Sequence, residues 1–182
     1  MAVETWKIDP SHSAIGFSVR HMVVSKTRGR FTKWSGEIRF DSQDPAASSV
    51  EVTIDPASID TADAQRDAHL RSADFFDVEK YPSASFRSTK VELQGQDWLR
   101  ITGELTIHGV TKQVVLETKY EGSGKDPWGN ERAGFIGTTA IDRKDFGLKW
   151  NQALEAGGVL VGDKVELTLE VEAIRQSAQQ AA

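Results

Sequence analysis

Four histidines, His12, His21, His69 and His108, are the side chains best suited to move a proton near neutral pH. No two of them stand at metal-ligand spacing within one element, and there is no cysteine to supply a thiolate, so neither a metal nor a cofactor is expected. The chain has no nucleophile elbow (GxSxG), zinc helix (HExxH), phosphate-binding loop or dinucleotide fingerprint (GxGxxG). What remains is a charged tract, Arg66-Asp67-Ala68-His69-Leu70-Arg71, and Arg143 with Asp142 and Asp145 close by. At helical spacing Arg66 and His69 share a face, as do Asp67 and Arg71; an exposed helix laced with ion pairs has the same pattern. Catalysis would need His21 or His69 to converge with Asp67 or Arg143 beside open volume. No catalytic residue is assigned on this basis.

The elements that must position these groups are mostly strands. Residues 60–82 (DTADAQRDAHLRSADFFDVEKYP) carry the one clear helical pattern. A helix is expected over Ala62 to Arg71, capped by Asp60 or Thr61, with Asp63 in its first turn. Its apolar surface is only alanines and Leu70, so Ile59 before it and Phe75-Phe76 after it must hold it in place. A lid over one end of a barrel would be held in that way.

On both sides the pattern has period two. Strands are expected over Val3 to Ile8, His12 to His21, Phe31 to Phe40, Val50 to Ile54, Ala84 to Leu93 and Leu99 to Ile107. Val110 to Tyr120, Phe135 to Ile141 and Val159 to Ala173 complete the set. A parity change near Thr89 marks a bulge, His108-Gly109 a tight turn, and Gly122 to Gly134 a loop. By parity His21 ends the inward row of Ile15, Phe17 and Val19, and Arg143 follows Ile141 inward where that strand leaves the barrel. About eight or nine strands in a meander favour an all-β, antiparallel barrel or sandwich, and closure removes exposed edges. Small inward residues (Gly36, Gly103, Thr118, Gly137) either leave volume unfilled or let a neighbour approach.

At 182 residues the chain is one domain, expected over 1–175 with a flexible tail over 176–182. A net charge of -5 argues against nucleic acid, and no apolar run is long enough to span a membrane. No signal peptide is visible, so the cytoplasm is expected, or the periplasm had a leader been removed.

The segments HSAIGFSVRHM, GRF, SGEIRFD, SIDTADAQRDAHLRSADFFDVEKYP, SFRST, ITGELTIHGVTK and IDRKDFGL, in this order, resemble the YceI family from Trp6 to about Ala173. The resemblance implies a lipocalin-like antiparallel β-barrel, a homodimer, and a hydrophobic tunnel that binds a polyisoprenoid or another long-chain lipid. Arg66 to Leu70, Asp74-Phe75-Phe76, His21, Arg143, Asp145 and Phe146 fall on the family's recurrent positions. It carries over no catalytic set.

Binding is also reasonable energetically. Burying a methylene is worth about 0.8 kcal/mol, so fifteen carbons supply roughly 12 kcal/mol before ordering costs. The apolar lining candidates, named by parity and by the resemblance, are Ile15, Phe17, Val19, Trp34, Ile38, Phe40, Phe75, Phe76, Phe86, Ile101, Leu105, Phe146 and Leu167. His21, Arg66, Asp67, His69 and Arg143 are the candidates for contacting a polar head group. The expected function is non-catalytic carriage or storage of a long-chain amphiphile; the alternative is an enzyme acting on one, with a His/carboxylate pair at the tunnel mouth.

Overall fold

The computed structural model describes residues 3–41 and 43–177. Its strands, in chain order, are β1 (Glu4–Ile8), β2 (Ala14–His21), β3 (Ser25–Phe31), β4 (Trp34–Phe40), β5 (Ser49–Ile54) and β6 (Ile59–Asp60). After the helix α1 (Ala64–Arg71) come β7 (Ala84–Leu93), β8 (Trp98–Ile107), β9 (Val110–Lys125), β10 (Glu131–Asp142) and β11 (Val161–Arg175). Every pairing between them is antiparallel.

Closure comes from β1, which pairs with β4 on one side and with the end of β11 on the other. The ring β1-β4-β5-β7-β8-β9-β10-β11 is therefore a closed eight-stranded barrel with no free edge. β11 is long enough to serve two partners along the same edge. Ala173 to Arg175 face β1, while Val161 to Glu170 face β2. β2, β3 and β6 thus extend one rim beyond the ring, and α1 packs beside β6. We call this rim the open end. The opposite end holds the β9–β10 turn and the C-terminal part of β11.

The alternating segments fold as their pattern dictates, and the bulge near Thr89 is a register shift between Ser88 and Lys90. Four expectations are corrected. First, β3 and β6 are strands that the sequence pattern does not predict. Ser25 to Phe31 (SKTRGRF) has no apolar alternation, and β2 supplies its hydrogen bonds. Second, Phe31 and Trp34 belong to different strands, and His12 lies in a 3₁₀ turn (Pro10–His12) before β2. Third, Gly122 to Gly134 is not one loop. β9 runs on to Lys125 and β10 starts at Glu131, because the Asp126 carboxylate accepts the N–H groups of Trp128 and Asn130 and tightens the turn. Fourth, α1 starts two residues late. Asp63 is its cap, accepting the Arg66 N–H, while Asp60 takes the Ala62 N–H and Ala62 sits at φ 62°. Of the expected tail, Gln176 donates its N–H to the Thr5 carbonyl; residues 178–182 lie outside the described ones.

Candidate functional site: an apolar lumen with a polar mouth

Inward residues of β2, β5, β7, β8, β9, β10 and β11 meet in one core that includes Ile15, Val52, Phe86, Leu105, Leu116 and Ile141. They do not fill it. A cavity of about 150 Å³ lies toward the open end. Ile15, Phe17, Val19, Phe86, Leu105 and Leu167 wall it, Ile59, Leu70, Phe75 and Phe76 close it from the helix side, and only Thr139 and Arg143 break the apolar lining. A second cavity of about 80 Å³ lies deeper, between Ile38, Phe40, Ile101, Phe135 and Val171. Val52, Phe86, Leu116 and Leu169 line both and form the waist between them. Phe86 can lie there because residue 103 is glycine: a Cβ at that position would come 2.5 Å from the Phe86 ring. At the far end the rings of Phe40, Tyr120 and Phe135 pack with centroids 5.4 to 6.4 Å apart, one pair stacked, one edge-on and one tilted, and plug the barrel.

The open end is different in character. A cavity of about 400 Å³ shares Phe17, Val19, Leu70, Phe75 and Val161 with the first, and adds Arg20, His21, Asp63, Arg66, His69 and Trp150. Its helix-borne members are held by a compact network. Asp67, 6% exposed, accepts from the Thr61 N–H at 2.9 Å and from the Thr61 hydroxyl at 2.5 Å. Arg66 donates to the Thr61 hydroxyl and carbonyl, and Arg71 to the carbonyls of Ala57 and Ile59. The intrahelical pair that helical spacing allows between Asp67 and Arg71 is therefore not made: both side chains stitch α1 to the segment before it. His69 pairs with Asp74 at 2.8 Å, and its ring meets those of Trp150 and Phe75 edge-on at 4.6 and 5.1 Å.

Arg143 faces inward as its parity requires, but Asp142 and Asp145 are not its partners. Asp142 caps the following turn by accepting the Lys144 N–H. The guanidinium, 3% exposed, donates to the carbonyls of Gly162, Leu148, Trp150 and Val161, with Asp163 more distant at 3.8 Å. Burial lowers its pKa from the usual arginine value. It clamps residues 148–162 over the barrel mouth.

The remaining histidines are in structural settings. His108 Nδ1 lies 3.2 Å from the Phe146 carbonyl, and His12 Nδ1 lies 3.0 Å from Asp9. Asp9, His12 and Glu172 offer ligand atoms within 4.8 Å of one another, but Arg132 already reaches across Asp9 and Glu172 at 2.9 and 2.6 Å.

The apolar candidates divide by place. Ile15, Phe17, Val19, Phe75, Phe76, Phe86, Leu105 and Leu167 line the outer cavity, and Ile38, Phe40 and Ile101 the inner one. Trp34 and Phe146 line neither and pack in the core. His21, Arg66 and His69 come together at the mouth, whereas Asp67 and Arg143 are bonded behind it. Leu70 and Asp74 stand on recurrent positions to which the sequence assigns no role in the site, and Trp150 and Leu160 are not indicated by it at all. Leu70 was visible as the one large apolar residue of α1; for Trp150 and Leu160, in an irregular stretch, no periodicity signals a role.

The YceI-like domain model matches residues 6–173. The chain belongs to that family. A UPF0312 protein of Vibrio cholerae is 48% identical over 139 residues, 76% of this chain and 74% of that protein. Among solved structures, BcnA of Burkholderia cenocepacia superposes with a TM-score of 0.81 at 27% identity, over 91% of this chain and 98% of its own. A polyisoprenoid binding domain from Saccharophagus degradans has the same fold, with a TM-score of 0.71 at 15% identity, over 96% of this YceI-like chain and 99% of that one.

Proposed function

We propose that this protein binds and carries a single long-chain amphiphile, a polyisoprenoid or a fatty-acid-like lipid, without transforming it. The observation that carries the reading is the gradient along the barrel axis. An aromatic plug, two apolar cavities and a mouth bearing Arg20, His21, Arg66 and His69 follow one another in that order. The hydrocarbon chain would lie in the cavities and the polar head at the mouth. The family's fold, shared with a domain known for polyisoprenoid binding, supports the same class of ligand.

The outer cavity alone, at about 150 Å³, is the size that holds a benzene-like guest. A long chain must therefore part the waist. This makes Leu116 a sharp test. Wild-type protein from its own source, examined by native mass spectrometry and lipid extraction, should carry a long-chain adduct, and Leu116→Trp should carry a shorter one or none. Protein that is always empty, or a variant with the same adduct as wild type, would refute the reading.

One observation favours an enzyme instead: His69 and Asp74 form a His/carboxylate pair beside open volume. If it catalyses, His69→Ala should accumulate a ligand of different mass from that in wild type. The carrier reading expects the same molecule in both.

A further inference from the structure

The hairpin tip between β2 and β3 breaks the usual chemistry of tight turns. Met22, Val23 and Val24 occupy it, where glycine, asparagine or aspartate is normal. Met22 and Val23 both have positive φ, 52° and 64°, a backbone region that a β-branched residue strongly disfavours. Burial does not compensate for this. Val23 is 62% and Val24 83% exposed, and Met22 and Val159 are exposed beside them. The patch is one surface: Met22 donates its N–H to the Leu160 carbonyl, and Val23 rests against Gly158.

The hairpin that carries this patch bears formal charge of one sign, although Glu155 lies in the adjoining turn. In a chain of net charge -5, every formally charged side chain between Ser11 and Gly36 is basic: Arg20, Lys26, Arg28, Arg30 and Lys33. Arg20 and Lys26 stand opposite each other on the hairpin just behind the tip, and Arg28 is opposite Ser18. Lys26 is paired with Glu166 and Arg30 with Asp60, while Arg20 reaches the Val23 carbonyl. An exposed apolar tip backed by cations is complementary to an anionic lipid surface, where the side chains enter the acyl boundary and the cations meet phosphate. The tip also sits on the rim of the mouth, since His21, Leu160 and Val161 line it.

We infer that the Met22–Val24 tip and its basic hairpin dock this protein on an anionic bilayer, mouth toward the lipid, so that an amphiphile passes between membrane and barrel without crossing water. The inference goes beyond the carrier reading, which supplies only its purpose. The test is flotation of the full chain with phosphatidylcholine vesicles, with and without about one-third phosphatidylglycerol. Wild type should float with the anionic vesicles and lose this at high salt. Val23→Asp/Val24→Asp should lower the bound fraction by about tenfold or more, and Arg28→Glu should weaken the preference for anionic lipid. Val23→Gly/Val24→Ser removes the same apolar surface while relieving the positive-φ strain, so it should bind poorly yet melt no lower than wild type. Wild type left unbound by both vesicles, or the aspartate variant floating as well as wild type, would overturn the inference. So would loss of a dimer in light scattering on Val23→Asp/Val24→Asp without vesicle binding by wild type, since the patch would then join two copies. Lipid extraction of the same samples separates the two proposals: an occupied chain that never floats refutes docking alone, and an empty chain that floats refutes carriage alone.

Discussion

The two ends of this barrel are built on opposite principles. At the plugged end β9 and β10 stay paired almost to their turn, with one bulge between Gly134 and Phe135, three aromatic rings pack together, and charges meet charges. Arg132 contacts Asp9, Asp126 and Glu172, and Arg175 contacts Glu4 and Glu131. At the open end surface pairs such as His69–Asp74 and Lys144–Asp163 also form, but the groups that hold the entrance go to the main chain and a hydroxyl: Arg143 and Arg71 hold carbonyls, and Asp67 and Arg66 hold Thr61. The non-glycine residues with positive φ among those described, Met22, Val23, Ala62, Asp77 and His108, all lie toward the open end. A closed end is satisfied by ladder bonds and ring packing. An entrance interrupts the ladder, so side chains must satisfy the carbonyls and N–H groups that strands leave unpaired.

Substitutions at three positions can break or sharpen this contrast. The largest effect is expected for Arg143→Ala, which strips the donor from four carbonyls and should cost about 3–5 kcal/mol in denaturant unfolding. Arg143→Lys should recover only part, because an ammonium lacks the planar fork. A loss below about 1 kcal/mol would show that the open end does not depend on this clamp. Next, Asp67→Ala leaves the Thr61 N–H and hydroxyl without their acceptor and should cost about 1–3 kcal/mol. It should also speed hydrogen exchange in α1 while leaving the aromatic plug untouched.

The smallest effect belongs to the plugged end. Arg132 is 21% and Glu172 beside it 33% exposed on the side chain, so solvent screens part of this network, and Arg132→Gln, which keeps an amide donor, should lower the melting temperature less than either change above. Its signature is in pH. The Asp126 carboxyl is held well below the usual range chiefly by Arg132, and that of Asp9 by the Ser11 hydroxyl and then by Arg132. A depressed folded pKa stabilises above the unfolded value near 4, and that stability is lost as pH falls through the folded values. The gap between wild type and Arg132→Gln should therefore be full at neutral pH and close as pH drops below about 4. A gap that stays constant with pH would mean Arg132 acts by packing, and the contrast between the ends would weaken.

The legibility of the chain follows the same division. Around the barrel wall, parity placed Ile15, Phe17, Val19, Phe86 and Leu105 on the lumen side and flagged the bulge at Thr89. Errors gathered where the backbone leaves regular geometry. Ala62 at positive φ moved the start of α1 to Ala64, and Asp74, outside the helix, became the partner of His69. Arg143 was recognised as inward, yet its partners are carbonyls of Leu148, Trp150, Val161 and Gly162, in a stretch without a repeating pattern.

Sequence alone determined the all-β class, the direction in which most strand side chains point and the presence of a helix needing support from Phe75 and Phe76. Those are local properties, since strand periodicity and helix caps depend on residues a few positions apart. Only the tertiary structure decided that β1 joins both β4 and β11, that a polar segment such as Ser25–Phe31 becomes a strand, and that His21, Arg66, His69 and Trp150 share one mouth. Each of these rests on hydrogen bonds or burial supplied by partners distant in sequence, and a residue's own neighbours carry no record of which distant segment will meet it.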